Sequence, residues 1–399
     1  MKRLLLVSSL TTGLLFGVDE LSNVLSGERN QLFDYQKEQT QNQTSQLEKS
    51  WISPVVVQYT KNYTTQFSET MDTAQFVISV DQPIFKMGGI WATIKYANAL
   101  GEANEIEIEL QKRQLITQAL TILYNLKKSQ LQLDKLNLLI RNDELDILIQ
   151  KESYEAGLSN RTLYDQALLK RNQDITSKLE LELSITKLKN DFKLLSDDDP
   201  DTIALPHFGM IDQARYEANQ LEVKRDELRV QEKQYNHYMT WSKYLPELSV
   251  TGSYVDADIN PLFARSATGL KEKYYTYGFK VTLPLNINSY HDIQSSKIDY
   301  LNAQITLNEQ KKAIANEFDM IRKRLEIIDR KIELSKDDAQ HYASMQQVAR
   351  DLELVGDRTN YDTEIVTNTL KVRELDQAIY KYDAQLELLT LYAKVADAL

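Results

Sequence analysis

The stretch Tyr274-Tyr275-Thr276-Tyr277-Gly278-Phe279-Lys280-Val281-Thr282-Leu283-Pro284-Leu285 decides how this chain is read. Tyr275, Tyr277, Phe279, Val281, Leu283 and Leu285 fall on one side, and Tyr274, Thr276, Gly278, Lys280 and Thr282 on the other. Period-two alternation built from aromatic and β-branched residues predicts a strand with one apolar and one polar face. Residues 248–256 predict its upstream partner. The pattern occurs once before: Ala74, Phe76, Ile78 and Val80 alternate with Gln75, Ser79 and Asp81, ending near Pro83, with an upstream partner over 54–67. Each half of the chain therefore contributes a hairpin, spanning 53–85 and 245–285, with polar loops near 68–72 and 257–271.

Outward from the hairpins, the period changes. Leu115, Ala119, Ile122, Leu126, Ser129, Leu133, Leu136, Ile140 and Ile147 follow a four-three spacing, with Asp143 in the remaining slot. Ile314, Phe318, Ile321, Leu325, Ile328, Ile332, Ser335, Ala339 and Tyr342 do the same. A sustained period of 3.5 predicts coiled-coil packing. The two seams superpose at an offset of 199, Ile122 on Ile321 and Leu133 on Ile332, and the same offset sets Gly157 on Gly356. The chain is thus two copies of one unit, 18–196 and 208–399, joined by a linker over 197–207 that contains Asp197-Asp198-Asp199-Pro200. Each copy reads as a helix, a hairpin, a long helix (88–154 and 287–353) and a shorter one (160–195 and 359–398). The first helix of each copy covers 28–50 and ends near 241, respectively. A long helix of this size measures roughly 100 Å, a length for which a compact monomer has no use.

Composition excludes several classes. The 399 residues contain no cysteine, which removes disulfide scaffolds, thiolate metal sites and thiol nucleophiles. A net charge of -11 argues against nucleic acid as a partner. Only 12 Gly and 7 Pro suit long uninterrupted helices. The mean hydropathy of -0.45 and 26% charged residues argue against membrane-spanning helices. Met1, Lys2 and Arg3 before the apolar stretch Leu4 to Phe16 read as an export signal over 1–17. Among the four histidines no metal-ligand spacing occurs, and no phosphate-cradling glycine loop or nucleophile elbow is present. No catalytic residue, cofactor or metal is expected, and the aspartates of 197–201 read as a linker.

The alternating strands admit two readings, a small sheet on a soluble core or a barrel in lipid, apolar outside and wet inside. The seams already engage helix partners, so the helices offer the strands little to pack on. Trp51 and Trp241 lie just before upstream strands and Trp91 just after a downstream one, the same end in every case, as in an interfacial aromatic girdle. A sheet in lipid has no open edges, and four strands do not close, so several chains must share one barrel. Three chains would supply twelve strands; composition does not choose three over two or four.

These features resemble the TolC family of bacterial outer-membrane export channels. The matching pieces are Tyr244-Leu245-Pro246-Glu247-Leu248-Ser249-Val250 entering a strand and Val281-Thr282-Leu283-Pro284-Leu285 leaving one. With them go the paired turns Tyr154-Glu155-Ala156-Gly157-Leu158-Ser159-Asn160-Arg161 and Leu354-Val355-Gly356-Asp357-Arg358-Thr359. The resemblance covers nearly the whole chain after the export signal. It implies a mixed α/β membrane protein: a homotrimer with a 12-strand outer-membrane β-barrel continuous with a long periplasmic α-helical barrel. Its role would be the passive exit duct of a tripartite efflux or secretion system, served by a periplasmic adaptor and, indirectly, an inner-membrane pump, and surrounded by outer-membrane lipid. The resemblance places adaptor docking at Ala156, Gly157, Leu158, Val355, Gly356 and Asp357. The alternative is that both glycines only cap helices. It places a periplasmic gate at Arg358 and Asp362; the second ring acid falls on Ile365, with Glu364 beside it, and the acidic partner of the arginine falls on Leu163, with Asp165 two residues on. A competing function, a periplasmic coiled-coil adaptor or structural protein, would also carry long hairpins but not two amphipathic β-hairpins with tryptophans at one end.

Overall fold

A computed structural model describes residues 24–65, 70–258, 272–357 and 359–396. The expected export signal, Arg358 and parts of both hairpin loops lie outside the described residues. The elements in order are α1 (Gly27–Glu48), β1 (Val56–Thr64), β2 (Met71–Phe85), α2 (Gly89–Glu155), α3 (Arg161–Lys193), α4 (Gln213–Ala218), α5 (Leu221–Ser242), β3 (Glu247–Ala257), β4 (Lys273–Thr282), α6 (Ser289–Leu354) and α7 (Asn360–Tyr392). Helices α2, α3, α6 and α7 contain no proline, which is why they run unbroken for 67, 33, 66 and 33 residues. Both bounds of α7 are those of α3 displaced by 199.

The chain divides into two compact units, one of 1–34, 109–221 and 311–399, the other of 35–108 and 222–310. The first is a layer of helices in the order α3-α2-α7-α6. Lys170 of α3 pairs with Asp143 of α2. Between α2 and α7 polar contacts recur every seven residues on each helix: Lys128 to Asp383 at 2.6 Å, Lys135 to Asp376 at 2.6 Å, and Asn142 to Thr369 at 3.4 Å. Descending numbers on α7 against ascending ones on α2 mark an antiparallel pair in constant register. Between α7 and α6, Ser335 Oγ donates to the Arg373 carbonyl at 2.8 Å and Gln346 to Thr367 at 2.8 Å.

Each seam is buried along part of its length, with one correction. Along α6, Ile314, Phe318, Ile321, Ile328 and Ser335 are buried while the residues between them are not. Helix α2 buries Ile116, Leu120, Leu123 and Tyr124 besides the seam residues Ala119, Ile122, Leu126 and Ser129. It lies between α3 and α7, so a single seam understates its contacts. The helix expected to end near 241 is also corrected. It breaks between α4 and α5, where Gln220 bridges Val395, the Leu221 amide donates to the Lys394 carbonyl, and Ala396 donates to the Asn219 carbonyl. The buried Arg113 guanidinium holds the Val395 and Ala396 carbonyls at 2.6 and 2.8 Å. The helix therefore yields there to pair with a segment far along the chain. The second hairpin ends at Thr282 rather than 285, and the last helix at Tyr392 rather than 398.

The linker packs instead of trailing. The Phe208 amide and carbonyl both bond the Gln385 side chain, at 2.7 and 3.1 Å, and Phe208 sits between Tyr124 and Tyr392. Burial pushes the Tyr124 hydroxyl, bonded to the Pro206 carbonyl, well above its ordinary pKa. Asp197 accepts from the Gly27 amide and Asp201 pairs with Lys189, so these aspartates serve the chain turn.

In the second unit the strands form one antiparallel sheet in the order β1-β2-β3-β4, which joins the hairpins of the two repeats at β2 and β3. Helices α1 and α5 flank the first part of α2. A Cβ at Gly101 would collide with Thr44 of α1, and one at Gly89 with Ser242 of α5.

Candidate functional site: an amphipathic sheet and two helix turns

The register settles the faces of the sheet. Val57 lies opposite Ile78, Ile78 opposite Tyr254 and Tyr254 opposite Tyr275; a second row runs Val80, Gly252, Tyr277. Because neighbours in register share a face, one face carries Val57, Tyr59, Phe76, Ile78, Tyr254 and Tyr275. On it Tyr277 and Phe279 are 82% and 78% exposed. Among the described residues no helix covers them. Single exposed apolar side chains are ordinary, but a continuous face of them marks a surface made for lipid or a partner.

The opposite face carries Gln58, Thr60, Gln75, Ser79, Thr251 and Ser253. A hollow of about 480 Å³ is lined in part by Ser79, Asp81, Thr251, Ser253 and Thr276 of this face. Charges on the apolar face sit at its hairpin-loop end, where Lys61 meets Asp72 at 3.2 Å and Lys273 meets Asp256 at 3.0 Å. At the other end stand the tryptophans. Trp51 follows α1, Trp91 lies in the first turn of α2, edge-on to Tyr235 at 5.4 Å, and Trp241 in the last turn of α5. Trp91 and Trp241 are about half exposed. Among the described residues, both outer strands, β1 and β4, leave one edge unpaired.

The turns between α2 and α3 and between α6 and α7 have one design. Gly157 and Gly356 take φ of +71° and +77°, a conformation that L side chains rarely adopt. The Leu158 amide reaches the Ser153 carbonyl at 2.8 Å, and the Asp357 amide reaches the Leu352 carbonyl at 2.9 Å. The glycine amides close the inner bond to Tyr154 and Glu353, completing a Schellman cap in each case. The cap accounts for both glycines. It does not account for Leu158, Leu354 and Val355, which are 84%, 85% and 71% exposed. A Schellman cap ordinarily buries its apolar residue against the helix; here these side chains face outward.

The expected gate residues are separated by the structure into distinct local roles. Asp362 is the third residue of α7 and exchanges hydrogen bonds with Thr359, forming a capping box. At the equivalent place in the first repeat, Asn160 caps α3 by accepting from Leu163, whose side chain cannot complete a box. Asp165 pairs with Arg161 on its own helix at 3.5 Å. Glu364 takes a two-point grip from Arg141 of α2 at 2.7 and 3.3 Å. Those hydrogen bonds from Arg141 hold the Glu364 carboxyl below its ordinary pKa. Arg141 and the heptad ladder beside it escaped the sequence reading. The available signal was the seven-residue spacing of Lys128, Lys135 and Asn142 against Thr369, Asp376 and Asp383.

Among the described residues no cluster of three potential metal ligands occurs, and no helix is long and apolar enough to cross a membrane. No family model and no curated protein matches the sequence. Solved structures match over nearly the whole chain. The outer-membrane protein VceC from Vibrio cholerae is 14% identical, with a TM-score of 0.73 over 94% of this chain and 95% of its own. The outer-membrane channel CmeC from Campylobacter jejuni is 14% identical, with 0.72 over 94% and 84%. A membrane protein from Pseudomonas aeruginosa is 12% identical, with 0.74 over 94% and 88%. Identities this low speak for architecture alone, and the architecture is plain: the chain has the fold of bacterial outer-membrane channel proteins, the one implied by its resemblance to the TolC family.

Proposed function

We propose that the chain is one subunit of a homotrimeric exit duct in the bacterial outer membrane, extending into the periplasm. In this reading it conducts substrates passively from an inner-membrane pump and a periplasmic adaptor. The observation that carries the reading is the sheet. One face is apolar and exposed, the other is polar, and among the described residues both its edges are unpaired. In lipid, unpaired strand edges cost several kcal/mol for each bare amide or carbonyl, so β4 of one copy has to pair with β1 of the next. Three copies close twelve strands, with the apolar face toward lipid and the polar face toward water.

The outward-facing Leu158, Leu354 and Val355 give the helix turns an apolar surface that a helical hairpin of an adaptor can cover, together with Ala156, Gly157, Gly356 and Asp357. Asp362, Glu364 and Asp165 lie within the first five residues of α7 and α3, and Arg358 precedes α7 in sequence; in this reading a ring of carboxylates there narrows the tunnel. Asp362 has two candidate duties, helix cap and ring charge, which separate by experiment. Asp362→Asn loses the carboxylate's charge while its side chain still accepts from Thr359. It therefore lowers cation selectivity with little change in unfolding if the ring duty holds, and leaves selectivity unchanged if capping is its only duty.

The test of the whole reading is reconstitution. The purified protein should resist carbonate extraction from membranes, run as a trimer on unheated gels, and give stable conductance in planar bilayers. A protein that washes from membranes with carbonate and stays monomeric in detergent would refute the duct.

A further inference from the structure

On the polar face of the sheet, Asp81 of β2 and Lys280 of β4 form an ion pair although β3 runs between them. Neighbouring strands lie about 4.8 Å apart, so the two side chains together bridge roughly 10 Å. Their path crosses β3 at Ser249, the register partner of Lys280, and Thr251, the partner of Asp81. Both are small, and Ser249 is 1% exposed. A long residue at either place would block the crossing.

The two partners are 199 residues apart, the offset of the repeat. They occupy one position in two copies of the same unit and carry opposite charges. Both side chains are about half exposed, so the pair is largely screened by water and adds little to stability. Its consequence is electrostatic. Within the four strands the remaining acid on that face, Glu247, is matched by Lys86 at 3.1 Å, while Gln58, Thr60, Gln75, Ser79, Ser253 and Thr276 are neutral; Glu272 lies at the loop end, just before β4.

We propose that Asp81 and Lys280 are the selectivity-determining residues of the barrel, forming a charge-compensated ring that lets solutes of either sign pass. The inference rests on the duct reading above. In a closed trimer the two residues alternate around the lumen, and each negative site has a positive neighbour within its own subunit. Loss of either partner leaves a ring of like charges facing the pore, and such rings select for the opposite ion. Loss of both leaves the wall neutral.

The experiment is the reversal potential of single channels under a KCl gradient. Lys280→Met should raise the potassium-to-chloride permeability ratio by about twofold or more, and Asp81→Asn should lower it by a similar factor, at ~0.1 M salt where screening reaches about 10 Å. Both shifts should fade at ~1 M, where it reaches about 3 Å. The double variant D81N/K280M and the exchanged variant D81K/K280D should both return to the wild-type ratio. Single variants that conduct with the wild-type ratio at ~0.1 M, or an exchanged variant that departs from it as far as the singles do, would overturn the ring. A wild-type protein that gives no conductance refutes the duct, and the ring falls with it.

Discussion

Helices α3 and α7 hold equivalent places in the two repeats and are equally long, yet their surfaces differ. Helix α7 buries eight residues, among them Val372, Ile379, Leu388, Leu389 and Leu391; α3 buries two, Ala167 and Phe192. Leu163, Leu169, Ile175, Leu179 and Leu183 of α3 are exposed, whereas α7 exposes no large apolar side chain. The reason is position in the layer. Helix α7 lies between α2 and α6; α3 touches α2 and ends the layer. At the other end, α6 likewise exposes Met320, Ile327 and Leu334, one residue before its seam at Ile321, Ile328 and Ser335. A helix layer with two apolar outer helices states the same need as a sheet with two open edges. The repeat supplies the middle of each layer, and in the duct proposed above further copies of the chain supply the flanks.

The comparison breaks most visibly through apolar truncation. Leu389→Ala, at a site with no exposure, should cost about 3 kcal/mol in chemical unfolding of the dissociated chain. Leu183→Ala should stay within about 0.5 kcal/mol there, since the residue is 71% exposed. Leu183→Asp should instead prevent assembly, read by light scattering in detergent, with helix content retained. Normal assembly of Leu183→Asp would mean that the outer stripe of α3 is not a subunit contact.

A middle-sized effect sharpens the contrast between the seams. Asp143 occupies a seam slot of α2 with 3% exposure, and its counterpart at the repeat offset is Tyr342. Burial pushes the Asp143 carboxyl above its ordinary pKa, with Lys170 opposing; one carboxylate oxygen has no hydrogen-bond partner. A buried charge contributes little net stability when paired and costs much when stripped of its partner. Lys170→Met should therefore destabilise by about 1 to 3 kcal/mol, at the lower end because Lys170 itself is largely exposed. Asp143→Leu, which restores the apolar heptad, should be neutral or stabilising. If Asp143→Leu costs more than Lys170→Met, the carboxylate is needed for something besides packing.

These residues also show what was legible in the sequence and what was not. The seam of α6 can be read because its buried residues fall in one stripe, although α7, α4 and α5 each touch that helix. The seam of α2 can be found but not its second face, since two neighbours blur the stripe into general burial. The strand faces are legible down to single residues, because period two allows one register error at most. The break before α5 is not, since its cause is a bridge to Val395, 175 residues away. At the helix turns, Gly157 and Gly356 announce themselves, and Thr359 with Asp362 three residues later spells a capping box that competes with the gate reading. Glu364 could be noticed as an acid; that Arg141 holds it could not, because a contact between distant helices leaves no local pattern.

The smallest effect tests that last contact and the register beside it. The Glu364 carboxyl is held below its ordinary value of 4.5 by hydrogen bonds from Arg141. A carboxylate with a depressed pKa in the folded state contributes stability that is present above its unfolded pKa and lost as pH falls through the folded one. The end of α7 should thus stay docked on α2 above about pH 4.5 and loosen progressively below it. Both partners are well exposed, so the loosening is local and the rest of the layer keeps its fold. The chain has no cysteine, so Lys151→Cys and Asn360→Cys carry two spin labels with no background. They sit at the heptad register of the ladder, beyond Arg141 on α2 and before Glu364 on α7. Their distance distribution should broaden as the pH is lowered from 6 toward 3.5. In Glu364→Gln, which keeps a weaker hydrogen bond but no charge, it should be broader at pH 6 and insensitive to further acidification. An unchanged acid response in that variant would assign the loosening to a group other than Glu364.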